Sequence, residues 1–223
     1  MSIVLDGFPA SEGIAAGPAH VLHWGVPEVP HRMVEPGEVE EEVERFHEAR
    51  EMTKKRIREL KETTEERLGP VEARIFDPQM LMMDDGEVVD GTLRYIRENR
   101  LTAARAFEWR MLELQARWTR THSPMVLDRL NDLEDLQVRL LHRLLDLPDP
   151  SDVARTADAV IVIARNLTPS LTVQMDSERT LGIATELGTR TSHWAILARS
   201  LQIPAVVGLG ALVAQVDEGG EVI

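Results

Sequence analysis

The stretch GTRTSHWAILARS, residues 188–200, places His193 where a glycine-containing turn passes into an apolar helical pattern. A strand-like run at residues 181–185 precedes this stretch, and another at residues 203–208 follows it. Short strands that alternate with short helices are typical of an α/β layer whose strands are largely parallel. The stretch therefore decides the fold class, and it puts one histidine at the start of a predicted helix over residues 192–201.

Two further parts of the chain belong to the same predicted layer. Residues 159–164 (AVIVIA) form a continuous, β-branched apolar run, which is typical of a buried strand. Thr168 and Pro169 follow as an N-cap and a proline at the first helical position. Residues 17–23 are also strand-like, so we expect residues 1–25 to add strands to this layer.

The sequence between these parts has a helical pattern. Apolar residues recur at helical spacing amid dense mixed charge, and Gly69 with Pro70 ends or kinks the first helix. We therefore predict an α/β domain, formed by residues 1–30 and 148–223, that is interrupted by an all-helical insertion over residues 31–147.

The composition narrows the class of protein. No apolar run reaches the ~18 residues that a membrane span needs, and the N-terminus lacks a basic signal-peptide start, so we expect a cytoplasmic protein without membrane contact. Cysteine is absent, which excludes disulfides, thiolate zinc sites and cysteine nucleophiles. The net charge of −13 argues against nucleic-acid binding and favours a partner with a basic face. His20, His23 and His31 lack ligand spacing with nearby acids, so no metal site is expected.

The residues around His193 suit an anion. Free backbone N–H groups and the positive end of the helix dipole gather at a helix N-terminus. Here Thr191 and Ser192 add hydroxyl donors, and Arg190 adds positive charge. A neutral imidazole at such a place can attack phosphorus and become a phosphohistidine. From these residues alone the plainer interpretation is the better one: a half-buried histidine behind an ordinary Ser192 cap.

A longer match favours the phosphohistidine. Residues 188–208, GTRTSHWAILARSLQIPAVVG, resemble the signature GGRTSHxAIxAR of the phosphoenolpyruvate-utilising enzymes, with the IPAVVG that follows it. Four stretches resemble enzyme I of the bacterial phosphoenolpyruvate:sugar phosphotransferase system: PASEGIAAGPAHVL (residues 9–22), EVERFHEAR (42–50), IFDPQMLMMDD (75–85) and LTPS (167–170). The resemblance runs in order from about residue 6 to residue 223. It implies an α/β phosphohistidine domain with an inserted all-helical, helix-bundle subdomain.

The resemblance also implies roles for single residues. His193 is then the phosphoryl carrier, Thr168 orients its imidazole, and Arg190, Thr191 and Ser192 support the phosphate. In the full-length enzyme His193 takes the group from phosphoenolpyruvate, with Mg²⁺, and passes it to a histidine of the phosphocarrier HPr, which drives sugar uptake. No cofactor or metal is expected within these residues themselves.

The helical insertion of enzyme I binds HPr, so the resemblance implies a docking platform. Methionines repack easily against a partner and acidic side chains meet a basic rim, and residues 80–87 combine both. The contact candidates, by their position in the motif, are Leu81, Met82, Glu87, Trp118 and Arg129. The alternative is that these apolar residues form the core of the helix bundle.

Enzyme I proteins continue into a barrel domain that binds phosphoenolpyruvate and Mg²⁺ and forms the dimer. We therefore expect this chain to be an N-terminal half, monomeric alone and dimeric at full length, and we expect its final GGEVI to form a hairpin. Three alternatives stay open: a regulatory nitrogen-type paralogue, the phosphohistidine domain of another phosphoenolpyruvate-utilising enzyme, and a binding module that docks without chemistry.

Three residues depart from the family pattern. Thr189 replaces a second glycine, which matters if the turn needs a positive φ there. Trp194 follows the histidine where small residues are usual, and we expect its indole to pack against the partner or to gate the imidazole. Glu12 replaces a proline of the opening element.

Overall fold

The chain folds into two compact units. The computed structural model describes residues 3–23, 25–121, 124–148 and 158–223, with side chains throughout except at residues 121–129. The α/β unit comprises Met1–Trp24 and Ser151–Ile223, and the helical unit comprises Gly25–Pro150. The predicted fold class, an α/β domain with an all-helical insertion, is confirmed. The functional limits of the two domains stay a prediction.

The described residues of the α/β unit form one sheet of six strands in the order β1-β5-β4-β3-β2-β6. The strands are β1 (Phe8–Ser11), β2 (Gly17–Leu22), β3 (Val160–Ala164), β4 (Thr180–Thr185), β5 (Ala205–Val207) and β6 (Glu221–Val222). The four inner strands β2 to β5 pair in parallel, and β1 and β6 pair antiparallel at the two edges. The predicted parallel layer, with strands from the first residues, is confirmed.

The predicted C-terminal hairpin is wrong. β6 pairs with β2 near the other end of the chain, with Gly17 opposite Val222. The turn itself is present, since the Gly220 N–H donates to the Asp217 carbonyl at 3.0 Å. It leads the chain back to the open edge of β2, because the unpaired backbone groups of an edge strand bind an extended segment readily.

Short helices cover the sheet. They are α7 (Pro169–Gln174), which follows β3, and α8 (His193–Ser200), which follows β4. Every residue of β3 is buried, as expected for a parallel strand covered on both faces. Val162 packs in the same apolar cluster as Leu171 and Trp194, whereas Ile163 packs with Leu212 in a separate cluster. Because neighbouring residues of a strand point to opposite faces, these clusters are the two sides of the sheet.

The helical unit contains α1 (Val39–Leu68), α2 (Pro70–Ala73), α3 (Asp77–Met83), α4 (Gly86–Asn99), α5 (Ala103–Trp118) and α6 (Pro124–Leu144). Gly69 has a φ of +103° and Pro70 opens α2, so the helix end predicted at these two residues is confirmed. Phe46 and Phe107 lie fully buried in the core. Within the described ranges, the helices are all too short or too polar to cross a lipid bilayer.

Candidate functional site

The site around His193 lies where two adjacent parallel strands end. The loop after β3 leads to Thr168 and α7, and the loop after β4 leads to His193 and α8. Backbone hydrogen bonds join the two loops, since Glu186 N–H donates to the Ala164 carbonyl at 3.1 Å and Leu187 N–H donates to the Arg165 carbonyl at 2.9 Å. In α/β sheets, ligands bind at the carboxyl edge of the strands, so this is the expected edge for chemistry.

The turn before His193 needs only one residue with a positive φ. Gly188 has a φ of +115°, and among the described non-glycine residues a positive φ occurs at Arg100, Asp146 and Gln202. Thr189 therefore keeps an ordinary backbone conformation. Threonine in place of the family's second glycine thus puts no strain on the turn.

Ser192 closes this turn and does not cap the helix with its side chain. Its hydroxyl accepts a hydrogen bond from Thr189 N–H at 2.9 Å, and its own N–H donates to the Thr189 carbonyl at 3.1 Å. α8 has no side-chain cap hydrogen bond from Ser192. The ordinary serine cap, which the sequence alone favours, is therefore wrong. The helix N-terminus lacks the side chain that would otherwise compete with an anion for its first N–H groups.

His193 is the first residue of α8 and lies half-buried, at the boundary between core and solvent. The next residue, Trp194, is 2% exposed and belongs to the sheet core. A Cβ added at Gly188 would lie 3.5 Å from its indole Nε1, so the indole packs beneath the turn. The expectation that Trp194 packs against a partner is wrong, whereas gating of the imidazole by its indole stays a prediction. The residue after His193 points about 100° further round the helix, which here is towards the core.

The two other predicted phosphate-supporting residues are exposed. Arg190 and Thr191 both face solvent. The Thr191 hydroxyl lies 3.2 Å from the Thr189 hydroxyl, so it belongs to the same small network as Ser192. The structure thus brings Thr191, Ser192 and His193 together on one turn, and it leaves the Arg190 side chain at the surface beside them.

Thr168 is buried and caps α7, because its hydroxyl accepts from Leu171 N–H at 3.4 Å. Thr172 N–H donates to the Thr168 carbonyl at 3.1 Å, which completes the first turn of that helix. α7 packs against α8, so Thr168 and His193 open two neighbouring helices at the same edge of the sheet. The predicted orientation of the imidazole by Thr168 stays a prediction.

The docking candidates divide between surface and interior. Leu81 is 74% exposed at the end of α3, and Met82 is half-buried, whereas Met83 is fully buried in the core. The alternative of a helix-bundle core therefore holds for Met83 and not for Leu81. Trp118 is half-buried at the end of α5. The side chain of Arg129 lies outside the described part of the chain.

Ion pairs hold the segment that carries these candidates. Glu87, in the first turn of α4, pairs with Arg117 at the end of α5 at 2.9 Å. Asp84 accepts a hydrogen bond from Lys54 at 2.8 Å, and this bond holds the pKa of the Asp84 carboxyl below its ordinary value of 3.8. The acidic side chains that were expected to meet a basic partner thus also fasten α3 and α4 to their neighbours.

Comparison with known proteins places the chain in a family. The N-terminal region of the PEP-utilising enzymes matches residues 6–129, and the mobile domain of the PEP-utilising enzymes matches residues 156–223. The chain belongs to the family of PEP-utilising enzymes. The second match contains the whole turn around His193, so the resemblance seen in the sequence is confirmed.

Curated relatives agree with this family. The phosphoenolpyruvate-protein phosphotransferase of Staphylococcus epidermidis is 32% identical over 226 residues, which cover 100% of this chain and 39% of that protein. The protein of the same name from Listeria monocytogenes is 33% identical over 223 residues, and 38% of its length is covered. The chain therefore spans about two fifths of the length of these relatives.

Solved structures share the fold of this chain. A solution structure of Enzyme I superposes with a TM-score of 0.73 at 36% identity, covering 98% of this chain and 88% of that one. The N-terminal domain of a nitrogen-type Enzyme 1 superposes with a TM-score of 0.63 at 20% identity, covering 98% of this chain and 93% of that one. At that identity, the second likeness shows the fold alone.

Arg199 is a residue of the family signature whose role was not predicted from the sequence. Its guanidinium donates to the Ala10 carbonyl of β1 at 2.9 Å and to the Arg190 carbonyl of the turn at 3.1 Å. Arg199 therefore ties the turn to the sheet edge through two backbone oxygens. The planar guanidinium can reach both acceptors at once, which explains an arginine at the end of the SHWAILAR pattern.

Proposed function

We propose that this chain carries a phosphoryl group on His193 and exchanges it with the phosphocarrier HPr. The observation that carries the proposal is the turn before α8: Ser192 uses its hydroxyl inside the turn, so this N-cap residue does not cap with its side chain the helix that His193 opens. A helix N-terminus without a competing cap is a ready site for a phosphate. Curated relatives named phosphoenolpyruvate-protein phosphotransferase support the same chemistry.

The proposed reaction uses few groups of this chain. A lone pair of an imidazole nitrogen forms the new N–P bond, while the bond from phosphorus to the donor breaks and its electron pair leaves with the donor. The helix N-terminus and the hydroxyls of Thr191 and Ser192 stabilise the charge on the phosphoryl oxygens, and Arg190 adds a positive charge. Thr168 is proposed to hold the imidazole in the productive orientation. Positioning and charge account for most of phosphoryl transfer, so no further nucleophile is required.

The helical unit is the proposed HPr platform. Leu81 supplies an exposed apolar anchor, and Met82 lies beside it with an adaptable side chain. Glu87, Trp118 and Arg129 complete the proposed contact set. With a net charge of −13, the chain favours encounter with a basic protein surface.

We propose that phosphoenolpyruvate and Mg²⁺ bind to parts of such proteins beyond the 39% that this chain matches. Among the described residues, no group of three or more histidine, aspartate or glutamate side chains is arranged to hold a metal ion. Mg²⁺, when bound to a phosphoryl donor, neutralises charge on the transferred group. A cytoplasmic location, dimerisation at full length and a role in sugar uptake belong to the same proposal.

The test is a transfer assay with separate donors. Residues 1–223 are incubated with labelled phospho-HPr, and in parallel with labelled phosphoenolpyruvate plus Mg²⁺. We expect base-stable, acid-labile label from phospho-HPr and none from phosphoenolpyruvate. His193→Ala should remove the label, whereas His23→Ala, which changes an exposed histidine of the same unit, should keep it. Label on the His193→Ala protein, or no label on the unaltered chain, would refute the proposal.

The same assay separates two kinds of phosphate relay. HPr from a sugar-type system and HPr from a nitrogen-type system are offered at equal concentration. Faster transfer with the sugar-type carrier supports the role in sugar uptake. Faster transfer with the nitrogen-type carrier assigns the chain to a regulatory relay instead.

A further inference from the structure

A second concave site lies in the helical unit, between α1 and α6. Its volume is about 240 Å³, and its polar lining comes from residues of those two helices. The charged and histidine side chains of this lining are Lys55, Arg56, Glu59, Arg139, His142 and Arg143, and Thr53 lines it as well. They recur at spacings of three and four along each helix, which places each set on one helix face. The proposed phosphoryl transfer uses none of these residues, and none belongs to the proposed HPr contact set.

The lining is strongly basic in a strongly acidic protein. Four of its side chains are lysine or arginine and one is glutamate, although the whole chain has a net charge of −13. The Glu59 carboxylate already forms an ion pair with Arg56 at 3.4 Å. Lys55 and Arg143 are exposed and make no ion pair with any residue that the structure describes. Lys55 and Arg143 therefore leave the pocket with positive charge that is not paired within the described parts of the chain.

Arg139 gives the pocket a buried donor. This residue is 5% exposed, yet it lines the cavity. Its Nε lies 3.4 Å from Asp135 Oδ1, and its Nη2 is buried with no hydrogen-bond partner among the described residues. A buried guanidinium N–H without an acceptor is costly, because its hydration is lost and nothing replaces it. Nη2 itself is closed to solvent, so a ligand oxygen in the cavity would supply the missing acceptor once the guanidinium turns towards it.

The position of Arg139 depends on its ion pair with Asp135. Asp135 is fully buried and also accepts a hydrogen bond from Gln79 Nε2 at 2.8 Å. Gln79 therefore orients Asp135, and the ion pair at 3.4 Å ties Arg139 to that carboxylate without a hydrogen bond. A preorganised arginine binds an oxyanion with less loss of side-chain entropy than a mobile one.

The other lining residues set the size and shape of the ligand. Met52 and Leu147 add apolar surface at the cavity, and His142 Nδ1 donates to the Pro148 carbonyl at 2.8 Å, which fixes the ring. A volume of 240 Å³ corresponds to about eight water molecules at their share of liquid volume. This is room for a small metabolite.

We propose that this pocket binds a small, multiply charged oxyanion of the phosphate-ester or dicarboxylate class. Arg139 forms its floor, and Lys55 and Arg143 close over the anion from α1 and α6. Arginine and lysine together are the groups that proteins use for such oxyanions. The inference rests on the geometry of the helical unit alone and holds whether or not His193 carries a phosphoryl group.

The experiment is a titration of residues 1–223 with pyrophosphate at low ionic strength, followed by calorimetry and by backbone amide NMR. The variant Lys55→Gln/Arg143→Gln is compared with Arg58→Gln/Arg94→Gln, which removes two exposed cations outside the pocket. We expect about a tenfold or greater loss of affinity in the first variant and less than about a twofold change in the second. Amide shifts should cluster on α1 and α6.

Pyrophosphate could also bind at the N-terminus of α8, so the titration is repeated in the His193→Gln background. Binding that keeps its affinity there and still depends on Lys55 and Arg143 supports the pocket. Equal affinity of the two double variants, absence of binding at millimolar pyrophosphate, or amide shifts confined to α8 would overturn the proposal.

Arg139→Met provides an independent readout, provided that its thermal unfolding is cooperative. If it unfolds without cooperativity, Arg139→Lys replaces it, since lysine keeps the charge and loses the planar donor set. Either folded variant should bind pyrophosphate about tenfold more weakly. Unchanged affinity in the folded variant would refute the role of Arg139. A parallel titration with malonate then decides between the two classes of anion. Tighter binding of malonate than of pyrophosphate would assign a dicarboxylate ligand.

Discussion

The turn around His193 and the surface of the helical unit are held by different kinds of contact. In the turn, short hydroxyls and backbone groups bind one another, as Thr189 N–H and Ser192 Oγ do at 2.9 Å. On the helical unit, long charged side chains pair across helices, such as Lys54 with Asp84 at 2.8 Å and Arg117 with Glu87 at 2.9 Å. Short groups allow few geometries, whereas exposed ion pairs contribute about 0.2–1 kcal/mol each. Phosphoryl transfer is thus expected to depend on a few atoms of the turn, whereas HPr docking should depend on many small energetic contributions.

The sharpest test of this difference is a substitution that abolishes phosphoryl transfer but leaves HPr binding and stability unchanged. We expect His193→Gln to lose all phosphoryl transfer while HPr affinity stays within about twofold and the melting temperature within about 3 °C. His193 is half-buried at a helix start, so little of the core depends on it. Transfer is followed by label, affinity by calorimetry and stability by circular dichroism. A large drop in melting temperature would show that the imidazole is structural.

Gly91 tests whether a single substitution in the helical unit can also have a large effect on stability. A Cβ added at Gly91 would lie 2.3 Å from Arg110 Nε, and Arg110 donates from that atom to the Glu87 carbonyl at 2.6 Å. We expect Gly91→Ala to lower the free energy of unfolding by about 1–3 kcal/mol, measured by urea denaturation. Gly37→Ala, where the added Cβ meets nothing within 4 Å, is the matched control. Equal effects of the two substitutions would mean that Arg110 moves aside freely.

Adjacent methionines separate docking from packing. Met83 is fully buried, so Met83→Ala should cost about 2–4 kcal/mol of stability and leave the HPr affinity of the folded protein unchanged. Met82 is half-buried, so Met82→Ala should weaken HPr binding by about 1 kcal/mol with little effect on stability. Urea denaturation and calorimetry are applied to both. The prediction fails if the methionine that changes affinity is the buried one.

The smallest expected effect is the pH dependence of the ion pair between the buried Lys54 and the exposed Asp84. The hydrogen bond from Lys54 depresses the folded-state pKa of Asp84, so this group stabilises the protein above its ordinary pKa of 3.8. That contribution disappears as the pH falls through the lower, folded-state pKa. The stability difference between the unaltered chain and Asp84→Asn should therefore be below about 1 kcal/mol near neutral pH and should shrink once the pH falls below 3.8. A difference that grows on acidification would contradict the lowered pKa.

The helices and strands could be predicted from the sequence because apolar patterns and helix-breaking residues mark them. The apolar run at residues 159–164 and the break at Gly69 and Pro70 gave a strand and a helix end where the structure has them. Side-chain direction was harder, since Trp194 was expected at the surface and lies in the core. Its direction depends on how α8 sits on the sheet, which one residue's identity does not encode.

The hydrogen bonds inside the turn also could not be predicted from the sequence. Ser192 stands at the correct N-cap position, yet its hydroxyl binds Thr189 N–H because the chain folds back on itself at Gly188. The double role of Arg199 was missed for a related reason. Its acceptors are the carbonyls of Ala10 and Arg190, and carbonyls leave no trace in a pattern of side chains.

The pairing of β2 with β3 carries a consequence for the order of folding. Ala19 lies opposite Ile161, so two neighbouring strands are separated in the chain by the whole helical insertion. Closing so long a loop costs entropy and slows the pairing. The insertion shortens that search when it folds first, because its opening and closing segments meet: Pro30 and Leu145 line one small cavity, and Arg45 donates to the Leu144 carbonyl at 2.8 Å. During synthesis, a chain that has not yet reached residue 160 should therefore have formed helices and no parallel sheet.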